Sequence, residues 1–277
     1  MKTEPLVSTI PDMDPATLDL WTIISIATVS YASATMLHEG AGHGGACLLT
    51  GGKPVAVSTV HFECDREGRI IAVGGTVLNL ATGLLCRFIL RFVTCGTHLR
   101  YFLWLLMMIN LLQASGYFFF SGVANIGDWA VVIRGLKPAW FWRMGLTVIG
   151  LGLYMLFVWI ALREIQPFLG HNGLAKLQLA KKLTLVPYFT GGMLSCAAAL
   201  LNPVGMFLVA ISAAASSFGG TSGLAWMWRL AKYVRVPNSV VEPLQLSSSR
   251  GWKIGAAIVG ALFVGVFGPG LKFGSKM

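Results

Sequence analysis

The chain is expected to fold as an all-α polytopic membrane protein, with about six transmembrane helices and one short β-hairpin at the membrane surface. Three observations support this. Of 277 residues, 55% are hydrophobic and 12% charged, about half the roughly 25% charge of an ordinary soluble domain. The mean hydropathy is +0.71. The apolar residues also gather in runs of the length, about 20 residues, that crosses a bilayer core. Such a composition excludes a soluble globular domain, a disordered chain and a secreted disulfide scaffold. The 33 glycines show no triplet period, which excludes collagen.

Residues 1–19 carry Glu4, Asp12, Asp14 and Asp19 against one basic residue, Lys2. A secretory signal begins with a basic segment, so the first apolar run is expected to stay as a membrane anchor. The expected spans are 20–49, 71–93, 101–125, 144–162, 186–216 and 252–271. The first and fifth are long enough to be tilted, broken or partly outside the bilayer. Asn202-Pro203 would kink or split the fifth. Residues 163–186 and 229–251 read as basic loops.

Between the first two spans, 54–62 alternates loosely and is rich in β-branched residues, and Asp65-Arg66-Glu67-Gly68 reads as a turn. A second strand is expected over 69–73, making a hairpin across 54–73. The chain divides into the tail 1–19, a core 20–135 and a second helical region 136–277. With six spans, ten basic residues fall on one side and eleven on the other, so the positive-inside rule favours neither orientation.

The net charge of +10 does not point to nucleic acid. The Lys and Arg residues lie mainly between apolar runs, where they meet lipid headgroups and water. The expected partners are the lipid bilayer and a second copy of the chain. The five cysteines form no CxxC pair and are expected to act as small buried hydrophobes.

Ionisable groups inside a bilayer are costly and therefore point to function. Of the eleven Asp and Glu residues, nine fall in tails or loops. Glu39 and Asp128 remain, in or at the edge of apolar spans. Glu39 stands in Leu37-His38-Glu39-Gly40-Ala41-Gly42-His43. Two imidazoles around a carboxylate are the elements of a zinc hydrolase. The imidazoles bind the metal through neutral nitrogen, and the carboxylate takes a proton from water that the metal has made acidic.

The usual spacing is HExxH, which puts both histidines on one helical face. Here they are five apart, about 140° apart on a regular α-helix. A π-bulge or local unwinding absorbs one extra residue, and Gly40 and Gly42 make that distortion cheap. Catalytic zinc takes a third protein ligand. Asp128, at the far end of the third span, and His61, on the hairpin, are the two candidates. His98 and His171 sit in loops. The same cluster would also suit a buried polar network or a proton path.

At these residues the chain resembles the compact bacterial branch of the site-2 protease family (peptidase M50-like), the intramembrane zinc metalloproteases. Three segments carry the likeness: 38–46 running into 48–55, Gly74-Gly75-Thr76-Val77-Leu78-Asn79, and Asn125-Ile126-Gly127-Asp128. Together they cover about residues 32–135. The chain departs from the family in its inserted residue, a variant HExxxH also found in the dipeptidyl peptidase III family. It departs again in reading Gly127-Asp128-Trp129 where the family has prolines and Asp-Gly.

The resemblance implies a three-helix catalytic core in a multi-pass protein of the bacterial inner membrane. It implies Zn²⁺ held by His38, His43 and Asp128, with Glu39 as general base and Asn79 positioning substrate or oxyanion. It also implies a hairpin onto which an extended peptide adds as a strand. The expected activity is zinc-dependent endopeptidase cleavage in or near the transmembrane segment of a membrane protein. Two other readings stay open: a proteolytically inactive relative that binds or escorts a partner, and a proton- or cation-coupled transporter.

Overall fold

The computed structural model describes residues 18–171, 173–203, 205, 209–236 and 243–274. The acidic tail read over 1–19 lies almost wholly outside them. Five of the described helices are long and apolar enough to cross a membrane: Leu20–Leu49, Arg69–Phe92, Thr97–Ala124, Ala139–Glu164 and Arg250–Phe267.

The first span is three segments end to end: α1 (Leu20–Met36), a π-helical segment (Leu37–His43) and α2 (Gly44–Leu49). Asp19 caps α1, accepting from the Trp21 backbone N–H at 3.1 Å. It also pairs with Lys253 at 2.6 Å, and that ammonium holds its carboxyl well below the usual carboxylate range. Strands β1 (Pro54–Val57) and β2 (Phe62–Cys64) follow, antiparallel with a register shift.

The next helix, α3 (Arg69–Phe92), begins where the sequence suggested a second strand. Ile70, Ile71 and Val73 carry strand propensity, but the residues that α3 buries are Gly75, Thr76, Asn79, Gly83, Cys86 and Leu90. They recur every three or four positions, a helical stripe that overrides local propensity.

Helix α4 (Thr97–Ala124) is the buried centre of the bundle, with Trp104, Met107, Met108 and Ile109 wholly enclosed. It ends at Asn125 in left-handed backbone (φ 57°), followed by Gly127 at φ 89°, and the chain turns into the short α5 (Asp128–Ile133). Helix α6 (Ala139–Glu164) packs along α4 through glycines. A Cβ on Gly150 would collide with the Phe119 backbone, and one on Gly122 with the Arg143 carbonyl and Thr147. Small residues at such contacts let membrane helices approach closely. Val148, Ile149 and Leu156 of α6 are exposed, an apolar surface suited to lipid.

The expected fifth span is divided. Helix α7 (Gly173–Ala199) runs through Pro187 and stops before Asn202-Pro203, and a π-helical segment, Val209–Gly220, follows. Lys176, Lys181 and Lys182 in its early turns keep α7 from being apolar enough to count as a span by composition. Tyr31 of α1 lies over Gly191 of α7 and bonds Thr221 at 2.7 Å. The chain returns through α8 (Gly223–Trp226) and a 3₁₀ segment (Met227–Tyr233) to α9 (Arg250–Leu262), which continues as the π-helical Phe263–Phe267.

A last strand, β3 (Leu271–Lys272), pairs antiparallel with β1, giving the sheet order β2-β1-β3. The expected hairpin is therefore a three-stranded sheet whose central strand has no free edge. The cysteines also depart from expectation. Cys47 and Cys64 form a disulfide, while Cys86, Cys95 and Cys196 are free. The turn after α2 folds β2 back over the end of the first span, which brings together two cysteines seventeen positions apart.

Candidate metal centre

The five-residue spacing of His38 and His43 is met by the π-helical segment that contains both. The Gly44 backbone N–H reaches back to the Glu39 carbonyl, the i→i+5 bond of a π-helix. Residues five apart then come nearly into line, and the two ring Nε2 atoms stand 3.2 Å from each other. Glycines allow the segment to press against α3. A Cβ on Gly42 would lie 2.6 Å from Gly75 Cα, and one on Gly74 would collide with the Gly42 carbonyl.

Asp128 arrives from the other side of the sequence. The Asn125–Gly127 turn places it first in α5, with Oδ2 3.3 Å from His38 Nε2 and 3.5 Å from His43 Nε2. Burial opposes its ionisation, but the two imidazoles hold its carboxyl well below the usual carboxylate range. The neighbouring Trp129 anchors it. Its indole N–H donates to Thr76 Oγ1 at 3.1 Å and its ring stacks on Phe118. His61 does not join the cluster; it lies exposed at the turn between β1 and β2. His98 bonds the Ser247 carbonyl and His171 sits in an exposed loop.

Three donor atoms thus form a triangle with edges of 3.2, 3.3 and 3.5 Å. Zinc bonds of about 2.0–2.1 Å to nitrogen and oxygen place tetrahedral donors about 3.3 Å apart, so the triangle is the size of one face of a zinc tetrahedron. The hydrogen bonding agrees. His43 Nδ1 lies 2.7 Å from the Ile71 carbonyl, which can only accept, so Nδ1 carries a proton, the tautomer in which a neutral ring offers its lone pair at Nε2. Asp128 Oδ2 is buried with no hydrogen-bond partner among the described residues. Without a metal ion, the two Nε2 atoms and Oδ2 would have to be reconciled by protons shared between the rings and the carboxylate. A divalent ion satisfies all three donors.

Gly75 completes the cradle. A Cβ there would stand 2.6 Å from His38 Nε2 and 2.7 Å from His43 Nε2. Tyr117, which sequence reading did not single out, stacks on the His38 ring with centroids 4.7 Å apart and planes 9° from parallel. Only its place in α4, three turns before Asp128, hinted at this.

The centre borders a cavity of about 960 Å³, with Glu39, His43, Tyr117 and Asp128 in its wall. Glu39 is buried yet faces that space, where a general base must stand. The cavity runs from the β2 side down past Gln113 to Tyr154 and Ser222. Asn79 lies one turn along α3 from Gly75, wholly buried and absent from the cavity wall. Neither atom of its amide has a hydrogen-bond partner among the described residues. It is therefore not placed to touch a molecule in the cavity.

Fold and centre together define a helical chain with five described helices long and apolar enough to cross a membrane and a largely buried His₂Asp cluster at one end of the bundle. No protein-family model, curated protein or solved structure matches this chain.

The Trp129 anchor gives a first test. Trp129→Phe keeps an aromatic ring on Phe118 but removes the N–H to Thr76. Outer-sphere changes of this kind weaken metal affinity by about 10- to 100-fold, and a chelator competition should read a loss of about tenfold. An unchanged affinity would mean that Asp128 is held without Trp129.

Proposed function

We propose that the protein is a zinc-dependent intramembrane hydrolase that cleaves a peptide bond in or near the transmembrane segment of another membrane protein. The observation that carries this reading is the donor triangle of zinc size beside a cavity that also exposes a carboxylate. His38, His43 and Asp128 would hold the ion. Bound there, zinc supplies Lewis acidity, which acidifies water and polarises a carbonyl. Glu39 takes a proton from the attacking water and passes it to the leaving amine as the C–N bond breaks. Tyr117 keeps the His38 ring flat against α4, and the Ile71 carbonyl fixes the tautomer of His43. The surrounding helices limit access of bulk water, which strengthens every charge interaction at the site.

The peptide preference rests on the resemblance to site-2 proteases and on the depth of the cavity. A helical substrate must unwind to expose its amides. With β1 already paired on both sides, strand addition is left to the outer edges of β2 and β3, of which β2 borders the cavity. The test is co-reconstitution of purified, zinc-loaded protein with a panel of single-span membrane proteins. Cleavage that a chelator abolishes and added zinc restores is expected. Cleavage that proceeds in chelator would overturn the reading.

A further inference from the structure

We propose that the face carrying the metal centre is turned to the oxidising, non-cytoplasmic side of the membrane, with the Asp19 end of α1 on the cytoplasmic side. Contacts sort the chain into two faces. On one, Asp19 pairs with Lys253, Arg87 and Arg91 pair with Glu164, and His98 bonds Ser247. Lys176 bonds the Val234 carbonyl there too. These bonds gather the starts of α1, α4, α7 and α9 with the ends of α3 and α6. On the other face lie the sheet, α5 and the disulfide. Arg69 bonds the Arg134 carbonyl at 2.8 Å, Thr59 bonds Phe267 at 3.0 Å and Asn202 bonds Gly268 at 3.0 Å.

Two independent observations orient these faces. The first is the Cys47–Cys64 disulfide, which ties α2 to β2 beside the metal centre. Structural disulfides form and persist on the oxidising side of a membrane and are rare in a reducing cytosol. The second is charge. Of the nineteen described Lys and Arg residues, seven lie on the disulfide face: Lys53, Arg66, Arg69, Arg134, Lys137, Arg143 and Lys272. The other twelve lie toward the opposite face. Basic residues concentrate on the cytoplasmic side, so both signals give one orientation. The even split expected from six spans came from treating residues 186–216 as a single crossing. In the structure α7 runs from the Asp19 face to the disulfide face and residues 209–233 return, which moves Arg229, Lys232, Arg235, Arg250 and Lys253 to the Asp19 face and Lys272 to the disulfide face.

Resting on the hydrolase reading, this orientation narrows the substrate. It is a membrane polypeptide presented from the exported side, cut toward that end of its span.

The test uses the full chain in cells, in two parts that do not depend on zinc. First, thiol counting with a maleimide mass tag on denatured wild type should give three tags without reductant and five with it. Second, Ala139→Cys and Ser247→Cys, each with Cys86, Cys95 and Cys196 changed to alanine, are exposed to a membrane-impermeant maleimide. Ala139→Cys should label in intact cells, and Ser247→Cys only after the cells are opened. Labelling of Ser247→Cys in intact cells, or five tags without reductant, overturns the orientation. A zinc-free protein with the expected labelling would overturn the hydrolase reading and leave the orientation standing.

Discussion

Gly75→Ala is expected to empty the metal centre while leaving the helices intact. The added methyl would stand 2.6 and 2.7 Å from His38 Nε2 and His43 Nε2, too close for either ring to keep its place. Backbone movement cannot relieve the clash cheaply. The preceding residue, Gly74, has no room for a Cβ against the Gly42 carbonyl, and Gly42 has none against Gly75. Alanine is also the better helix former, by about 1 kcal/mol relative to glycine, so a weaker helix cannot explain the loss. Zinc affinity should fall by at least about a hundredfold, beyond the outer-sphere effects of about 10- to 100-fold. Gly145→Ala, which meets nothing within 4 Å, serves as control and should keep its metal. Full zinc occupancy in Gly75→Ala would show that the two rings do not share an ion at this spot.

Glu39→Gln separates metal binding from chemistry. Glutamine has nearly the shape of glutamate but cannot take a proton from water. Glu39 is outside the donor triangle, so the variant should keep about one zinc per chain. General acid–base assistance contributes about 10²- to 10⁴-fold in rate, and cleavage in the co-reconstituted assay should fall by that range. A variant that cleaves at the wild-type rate would remove Glu39 from the mechanism. One that loses its zinc would make Glu39 a ligand instead.

Much of this centre was legible in the sequence because membrane burial makes charge conspicuous. Glu39 and Asp128 stood out against apolar surroundings, and five-residue spacing with two nearby glycines pointed to a π-bulge or local unwinding, of which the structure has the π-helical form. Asp128 rather than His61 joins the histidines, a choice that needed the Asn125–Gly127 turn and the Trp129 anchor. Gly75 and Tyr117 were not legible as parts of the site. Their roles come from packing between helices, which no local pattern records. Asn79 drew notice as part of a motif but lies outside the cavity wall.

The errors in the fold have a similar origin. Residues 69–73 carry strand-like side chains, yet the stripe from Gly75 to Leu90 makes them the first turns of α3. The pairing of Leu271–Lys272 with β1 and the Cys47–Cys64 bond join segments whose proximity only the tertiary fold creates. Asn202-Pro203 did mark the break after α7. That break changed the side assigned to six described basic residues, and with it the reading of charge across the membrane.

The central claim is that His38, His43 and Asp128 hold one zinc ion, and the most direct measurement is metal content by mass spectrometry. Wild type and Asp128→Ala would be purified side by side in detergent, with zinc supplied and chelators avoided. The account predicts about one zinc per chain in wild type and its loss or marked weakening in Asp128→Ala. A wild-type protein that carries no zinc under these conditions would contradict it, and the cluster would then be a buried polar network or a proton path.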